Sequence, residues 1–193
     1  MIKEGFFPTL IYAEDFKLNT DELAQNIINW SKENEGVQKT NVNGWHSETE
    51  MHKKPEYKPL VDELFKMQHE VYKQEWLDRQ PKLGNMWANI NYKGGYNKPH
   101  IHPNSLFSGV YYIKAPENSG DFSCTDPRAG AQLNMPARVK GTPPKELWRE
   151  VHLKPVEGRI IIFPFYLWHS VAPNQSNDIR ISVSFNFIQH GFQ

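Results

Sequence analysis

Ile179-Arg180-Ile181-Ser182-Val183-Ser184-Phe185-Asn186-Phe187-Ile188 is the stretch that decides the fold class. Ile179, Ile181, Val183, Phe185 and Phe187 alternate with Arg180, Ser182, Ser184 and Asn186. Successive side chains of a strand point to opposite faces, so this segment predicts a β-strand with an apolar core on one side and a polar space on the other. Arg180 makes a demand of its own. No acidic residue shares its face of the strand, and a buried charge without a partner costs several kcal/mol. An acid on a neighbouring strand would answer that demand but would leave the row of Ser182, Ser184 and Asn186 unexplained. A small molecule bearing a carboxylate would meet the guanidinium through two parallel hydrogen bonds.

The neighbouring sequence has the same period. Arg159 to Phe163 and Val151 to Lys154 read as strands joined around Pro155 to Gly158, and Phe122 to Thr125 reads as a shorter one. Leu106 to Lys114 is rich in β-formers, and Met86 to Tyr92 alternates with Trp87, Asn89 and Asn91 on one face. Asp126 to Glu150 carries Pro127, Gly130, Pro136, Gly141, Pro143 and Pro144 and reads as a long loop, the kind used for lids and binding. Ahead of Lys82 the period lengthens to 3.6. Asn19 and Glu22 form a capping pair for a helix carrying Leu23, Ala24, Ile27, Ile28 and Trp30, running to about Asn34 and closed by Gly36. Pro59 opens a longer helix with Leu60, Val61, Leu64, Phe65, Met67, Val71, Tyr72 and Trp76, to about Leu77. Lys39 to Pro55 reads as polar and irregular, and Phe6 to Tyr12, broken by Pro8, as an edge strand or an extended lead-in.

Two helices followed by seven or more short strands predict a mainly β chain. The architecture expected is a double-stranded β-helix, or jelly roll, buttressed on one outer face by N-terminal helices. No repeat, linker or low-complexity tract interrupts the 193 residues, so one domain is expected over 1–193, with the buttress at about 1–80 and the barrel core at about 82–190. Lysine plus arginine and aspartate plus glutamate balance at 22 each, which gives no electrostatic case for nucleic acid or an anionic membrane as main partner. Cys124 is the only cysteine, so no internal disulfide can form and a reducing compartment is suitable. Met1 to Pro8 shows neither a signal-peptide core nor a spanning segment, and a cytoplasmic location is expected. Aromatic residues on the surface leave a homodimer open.

Asn97-Lys98-Pro99-His100-Ile101-His102-Pro103-Asn104 sets two imidazoles at alternate positions between two prolines. In an extended backbone both rings can address one point, a geometry suited to a metal, while the prolines limit the conformations sampled. Imidazole is the commonest ligand for first-row metals, and this pair supplies two of the three or four bonds a site needs. Farther on, Arg159 to Phe163 leads through Pro164 and an aromatic turn to His169, at the start of the next strand. In a jelly roll such strand ends face the barrel mouth. A solvated loop for the pair and a capped core position beside Trp168 for His169 are the structural alternatives.

His100, His102, His169, Arg180 and Ser182, with Gly109-Val110-Tyr111-Tyr112-Ile113 between, resemble the Fe(II)/2-oxoglutarate-dependent oxygenases, over roughly residues 87–187. The resemblance implies an Fe(II) on one face of the barrel, 2-oxoglutarate as cosubstrate and O2 as oxidant, with succinate and CO2 released as a substrate is hydroxylated. His100 and His169 match the family's two histidine ligands. His102 stands where most members have Asp or Glu; a two-histidine site completed by water, or a register with His102 first and Asn104 as a weak surrogate, are the other readings. Arg180 matches the residue that pairs with the distal carboxylate of 2-oxoglutarate, and Ser182 completes an Arg-x-Ser pattern. By similarity to prolyl hydroxylases, Ser108, Tyr112 and Tyr92 would add hydroxyl contacts. Asn89, Asn91 and the 126–150 loop are the candidates for touching substrate, which could be an amino acid, a peptide side chain, a nucleotide or a metabolite.

Two rival classes share the scaffold. A cupin would use Gly94, His100, His102, Gly158, Pro164 and His169, but Leu106 and Phe107 stand where its glutamate belongs and Arg180 has no role. A non-catalytic jelly-roll binding module would leave the histidines to solvent.

Overall fold

Strand β9 (Arg180–Ile188) runs between β4 (Phe107–Lys114) and β3 (Lys82–His100), so both of its edges are hydrogen-bonded. The computed structural model describes residues 1–16, 18–128, 130, 133 and 136–188. The last two positions of the expected barrel core, 189 and 190, lie outside them. Ile181, Val183, Phe185 and Phe187 are wholly buried on one face, while Arg180, Ser182, Ser184 and Asn186 look into a cavity on the other. The alternation read from the sequence is thus the alternation of the strand.

The remaining strands are β1 (Tyr12–Asp15), β2 (Asn41–His46), β5 (Phe122–Thr125), β6 (Glu150–Leu153), β7 (Arg159–Pro164) and β8 (His169–Val171). Among the described residues they form one antiparallel path, β1-β7-β4-β9-β3-β8-β5-β6, with β2 beside β3. Strand β3 belongs to both halves of it. Its first half pairs with β9 from Lys82 to Asn91, and its last residues pair with β8 at Asn97 and His100. Four strands (β3, β9, β4, β7) therefore lie on one side of the barrel and four (β3, β8, β5, β6) on the other, the arrangement of a jelly roll.

The passage of β3 from one side to the other occurs at Gly94-Gly95. Gly94 has φ +79, which glycine adopts without a steric penalty. A Cβ on Gly95 would stand 2.4 Å from the Asn43 carbonyl. The bend is held from outside by Asn174, whose carbonyl accepts from Gly94 N at 2.6 Å and whose own N–H donates to Gly95 O at 2.9 Å. Its side chain is fully buried and donates to the carbonyls of Asn91 and Asp178.

Helices α1 (Thr20–Glu33) and α2 (Lys58–Gln74) cover the outer face of the β3-β9-β4-β7 side. The Asn19 cap is reciprocal as expected: its Oδ1 accepts from Glu22 N at 3.3 Å and its Nδ2 donates to the Glu22 carboxylate at 3.0 Å. Leu23, Ile27, Leu60, Leu64, Met67 and Val71 share one core with Ile160, Ile162, Ile181, Val183, Phe185 and Phe187. No helix among the described residues is long and apolar enough to cross a membrane.

Four expectations change. Met86 to Tyr92 is the middle of a 19-residue strand, because the bend at two glycines diverts the chain without ending the ladder. Within Lys39 to Pro55, Asn41–His46 is a strand, disguised by Asn41 and Asn43, whose side chains bond neighbouring main-chain carbonyls, and by a register shift between Val42 and Gly44. The N-terminal third is therefore more than a buttress, since β1 and β2 both join the sheet. The lead-in forms its strand later than Phe6, at Tyr12–Asp15, paired to β7.

Gly109 of the Gly-Val-Tyr-Tyr-Ile segment lies opposite Phe185, whose ring covers it: an added Cβ would stand 2.2 Å from Phe185 Cζ and 2.7 Å from Ile161 O. Gly109→Ala should lower stability by about 1–3 kcal/mol, the range for overpacking a filled core, as read from urea denaturation.

Candidate active site

His100 ends β3, His169 begins β8, and the two are direct partners in the ladder. His169 is buried, and its Nδ1 lies 2.8 Å from the Leu167 carbonyl. A carbonyl only accepts, so Nδ1 bears the proton and Nε2 keeps a free lone pair. His100 is set the same way by Lys98 O, 2.7 Å from its Nδ1. His102 follows β3 and is fixed by its N–H to Phe165 O at 3.2 Å. The three rings converge, with one ligand atom from each lying within 4.8 Å of the others. His102 Nε2 stands 3.2 Å from His169 Nε2. Two nitrogens bonded at right angles to one metal, at roughly 2.1 Å each, would lie about 3 Å apart, so this spacing suits a shared ion.

Burial strips water from these rings and disfavours their charged forms. The His169 pKa falls to about 3 and that of His102 to about 4, in each case from desolvation first and the other imidazoles second. His100 shifts down for the same leading reason. Neutral imidazoles are what a metal requires.

The histidines open onto a cavity of about 260 Å³ whose wall also includes Arg180, Ser182, Ser184, Asn186, Asn89 and Tyr112. Arg180 is 1% exposed. Its Nη1 donates to the carbonyls of Ser119, Gly120 and Ala172, the latter two at 3.0 and 3.4 Å. A Cβ on Gly120 would fall 2.9 Å from this nitrogen, so the close approach needs glycine. Nη2 is buried with no hydrogen-bond partner. Desolvation lowers the Arg180 pKa to about 10, which leaves it charged at neutral pH. Tyr112 is buried beside it; desolvation raises the phenol pKa, and the guanidinium partly offsets that rise. One cavity thus joins three convergent imidazoles to a cation with an open donor.

Not every expected residue reaches this space. Tyr92 is 45% exposed and lies outside the cavity wall, since its parity on β3 and the bend that follows turn it outward. Ser108 is buried but spends its hydroxyl on Asn186 Oδ1 at 2.7 Å, behind the wall. Asn91 is buried and donates to Asn97 Oδ1 at 3.3 Å, leaving Asn97 to line the cavity in its place. Asn104 occupies an exposed turn with φ +69, away from the triad. The described part of the 126–150 loop lines other cavities. Sequence reasoning overlooked Lys39, Thr40 and His46, which line the cavity from β2 and its approach. Trp87, on the expected strand, stacks on His46 (ring centres 5.5 Å apart, 10° between planes) and tilts against His102 at 5.8 Å.

Residues 85–186, more than half of the chain, match the family described as "Putative 2OG-Fe(II) oxygenase". No curated protein matches the sequence. Among solved structures, a Pseudomonas putida prolyl-4-hydroxylase is similar at 14% identity, with 95% of this chain and 94% of that one covered and a TM-score of 0.64. The viral collagen prolyl hydroxylase of Paramecium Bursaria Chlorella virus-1, in a 2OG complex, is similar at 16% identity, covering 92% and 94%, with a TM-score of 0.59. HygX from Streptomyces hygroscopicus, with nickel and 2-oxoglutarate bound, is similar at 10% identity, covering 96% and 85%, with a TM-score of 0.65. At these identities the likeness is one of fold.

The lowered imidazole pKa values tie stability to pH. Above the ordinary 6.5, folded and unfolded chains both hold neutral rings and stability is complete. Below it the unfolded chain takes up protons that the folded one refuses, so stability falls with pH toward the folded values of about 4 and 3. Urea titrations of metal-free protein should show this loss between pH 6.5 and 5, and a shallower loss in His169→Gln.

Proposed function

Because the chain belongs to the 2OG-Fe(II) oxygenase family, we propose that His100, His102 and His169 hold its Fe(II) and that Arg180, with Ser182 and Tyr112, receives the distal carboxylate of 2-oxoglutarate. The observation that carries this reading is the unpartnered Nη2 of Arg180, a buried charged donor facing the same cavity as the triad. A carboxylate would supply the missing acceptor and neutralise the guanidinium together.

When bound, Fe(II) and 2-oxoglutarate supply the activation of O2, coupled to release of succinate and CO2 and to hydroxylation of a substrate C–H bond. The residues of this chain prepare that chemistry. The carbonyls of Lys98 and Leu167 fix the tautomers of His100 and His169, so both present Nε2. The carbonyls of Ser119, Gly120 and Ala172 hold the guanidinium in place before any ligand arrives. Val110, Phe122, Phe163 and Val171 form the apolar part of the wall and exclude water from the cosubstrate. Three neutral ligands leave the full charge of the dication to act on an anionic cosubstrate. Hydroxylation as the outcome agrees with the prolyl hydroxylases among the structural neighbours. The core shared by helices and barrel supports reading the chain as one domain, and a lone buried thiol suits a reducing cytoplasm.

Anaerobic binding tests the assignment without turnover. His169→Ala should lose Fe(II) in equilibrium dialysis. Arg180→Met should retain Fe(II) but bind 2-oxoglutarate on the order of 100-fold more weakly, the scale of breaking a buried charge pair. Equal 2-oxoglutarate affinity in wild type and Arg180→Met would refute the role given to Arg180.

A further inference from the structure

We infer that the substrate of this site is a small anion, a carboxylate or phosphate, that also carries an O–H or N–H donor, held by Lys39 at the rim and by Asn89 within. The inference rests on the cosubstrate reading above and extends it to the second ligand. Its first support is the charge of the wall. Lys39 and Arg180 are the charged side chains among the described residues lining the cavity, and no Asp or Glu lines it. With 2-oxoglutarate bound, one carboxylate answers Arg180 and the other answers only half of a dication held by neutral imidazoles. A positive charge remains at the metal, and in a space of low dielectric that excess is costly until an anion arrives. Lys39, exposed at the rim, adds a hydrated charge of the same sign that draws an anion toward the opening.

The second support is the position of Lys39. Thr40 O accepts from Lys98 N at 2.9 Å, and Asn41 pairs with Asn97. Lys39 immediately precedes that pairing and lines the same cavity as His100. Among the described residues Lys39 makes no ion pair, while its charge reaches far enough inward to act on His46. The third support is an orphaned acceptor. Asn89 Nδ2 donates to Ser184 Oγ at 3.2 Å, but Asn89 Oδ1 is buried on the cavity wall without a partner. A buried carbonyl left unpaired costs about 1–3 kcal/mol, which a donor on the ligand would recover. His46 and Trp87, stacked on each other in the same wall, give the ligand a flat surface to lie against.

The test is anaerobic calorimetry on the Fe(II)-loaded protein saturated with 2-oxoglutarate. The probes are matched sets: small hydroxy and amino carboxylates, their neutral amides, the same acids without the hydroxyl or amino group, phosphate monoesters, and the parent alcohols. Binding should concentrate in the anionic sets, weaken when the donor is removed, and fall at least about tenfold in Lys39→Met while 2-oxoglutarate affinity holds. Which anionic set binds tighter identifies carboxylate or phosphate. Binding spread equally over charged and neutral probes, no anionic binder at all, or an affinity unchanged in Lys39→Met would overturn the inference. Failure of wild type to bind 2-oxoglutarate would instead overturn the cosubstrate reading beneath it.

Discussion

The bend of β3 at Gly94-Gly95 is the constraint on which the site depends. A strand that stayed in one layer would carry His100 away from His169, and the two imidazoles would never share an ion. The bend is possible because neither glycine carries a Cβ, and it is fixed because Asn174 bonds the main chain of both. Asn174 lies on the connection from β8 to β9. The residue that clamps one ligand strand thus sits between the strand of His169 and the strand of Arg180, and a short stretch of chain sets the relative position of triad and guanidinium.

The barrel tolerates a polar interior because most of its polar atoms satisfy one another. Ser108 bonds Asn186, Asn186 bonds Asn85, and Asn89 bonds Ser184. Of the buried side-chain polar atoms without a hydrogen-bond partner, Arg180 Nη2 and Asn89 Oδ1 are the ones on residues that line the cavity. Stability is given up at these two atoms, and each faces the cavity where a ligand would restore it.

Much of this was legible in the residues. The alternation of 179–188, the capping pair Asn19 and Glu22 and the helical stripes are local signals, and the structure follows them closely. The histidine pair, His169 and Arg180 could be singled out because each posed a chemical problem that ordinary packing would not solve. What escaped was non-local. Strand β2 lacks a clean alternation because it follows the bent β3 through a register shift and its asparagines bond main-chain carbonyls, and neither partner is visible from residues 41–46 alone. Lys39 and His46 were missed with it. Tyr92 and Asn91 were misplaced for the converse reason: their alternation is genuine, but the bend just beyond them removes that part of β3 from the cavity.

The double burial of β9 has a consequence for how such a protein can change. Its apolar row packs in the core shared with the helices and its polar row lines the cavity, on opposite faces of one backbone. Ser184 and Asn186 can therefore be exchanged with little disturbance to the helical layer, provided the polar partners they satisfy, Asn89, Ser108 and Asn85, are exchanged with them or kept bonded. Selection, or an engineer, could redraw the reaction chamber from within while the outer shell stays the same.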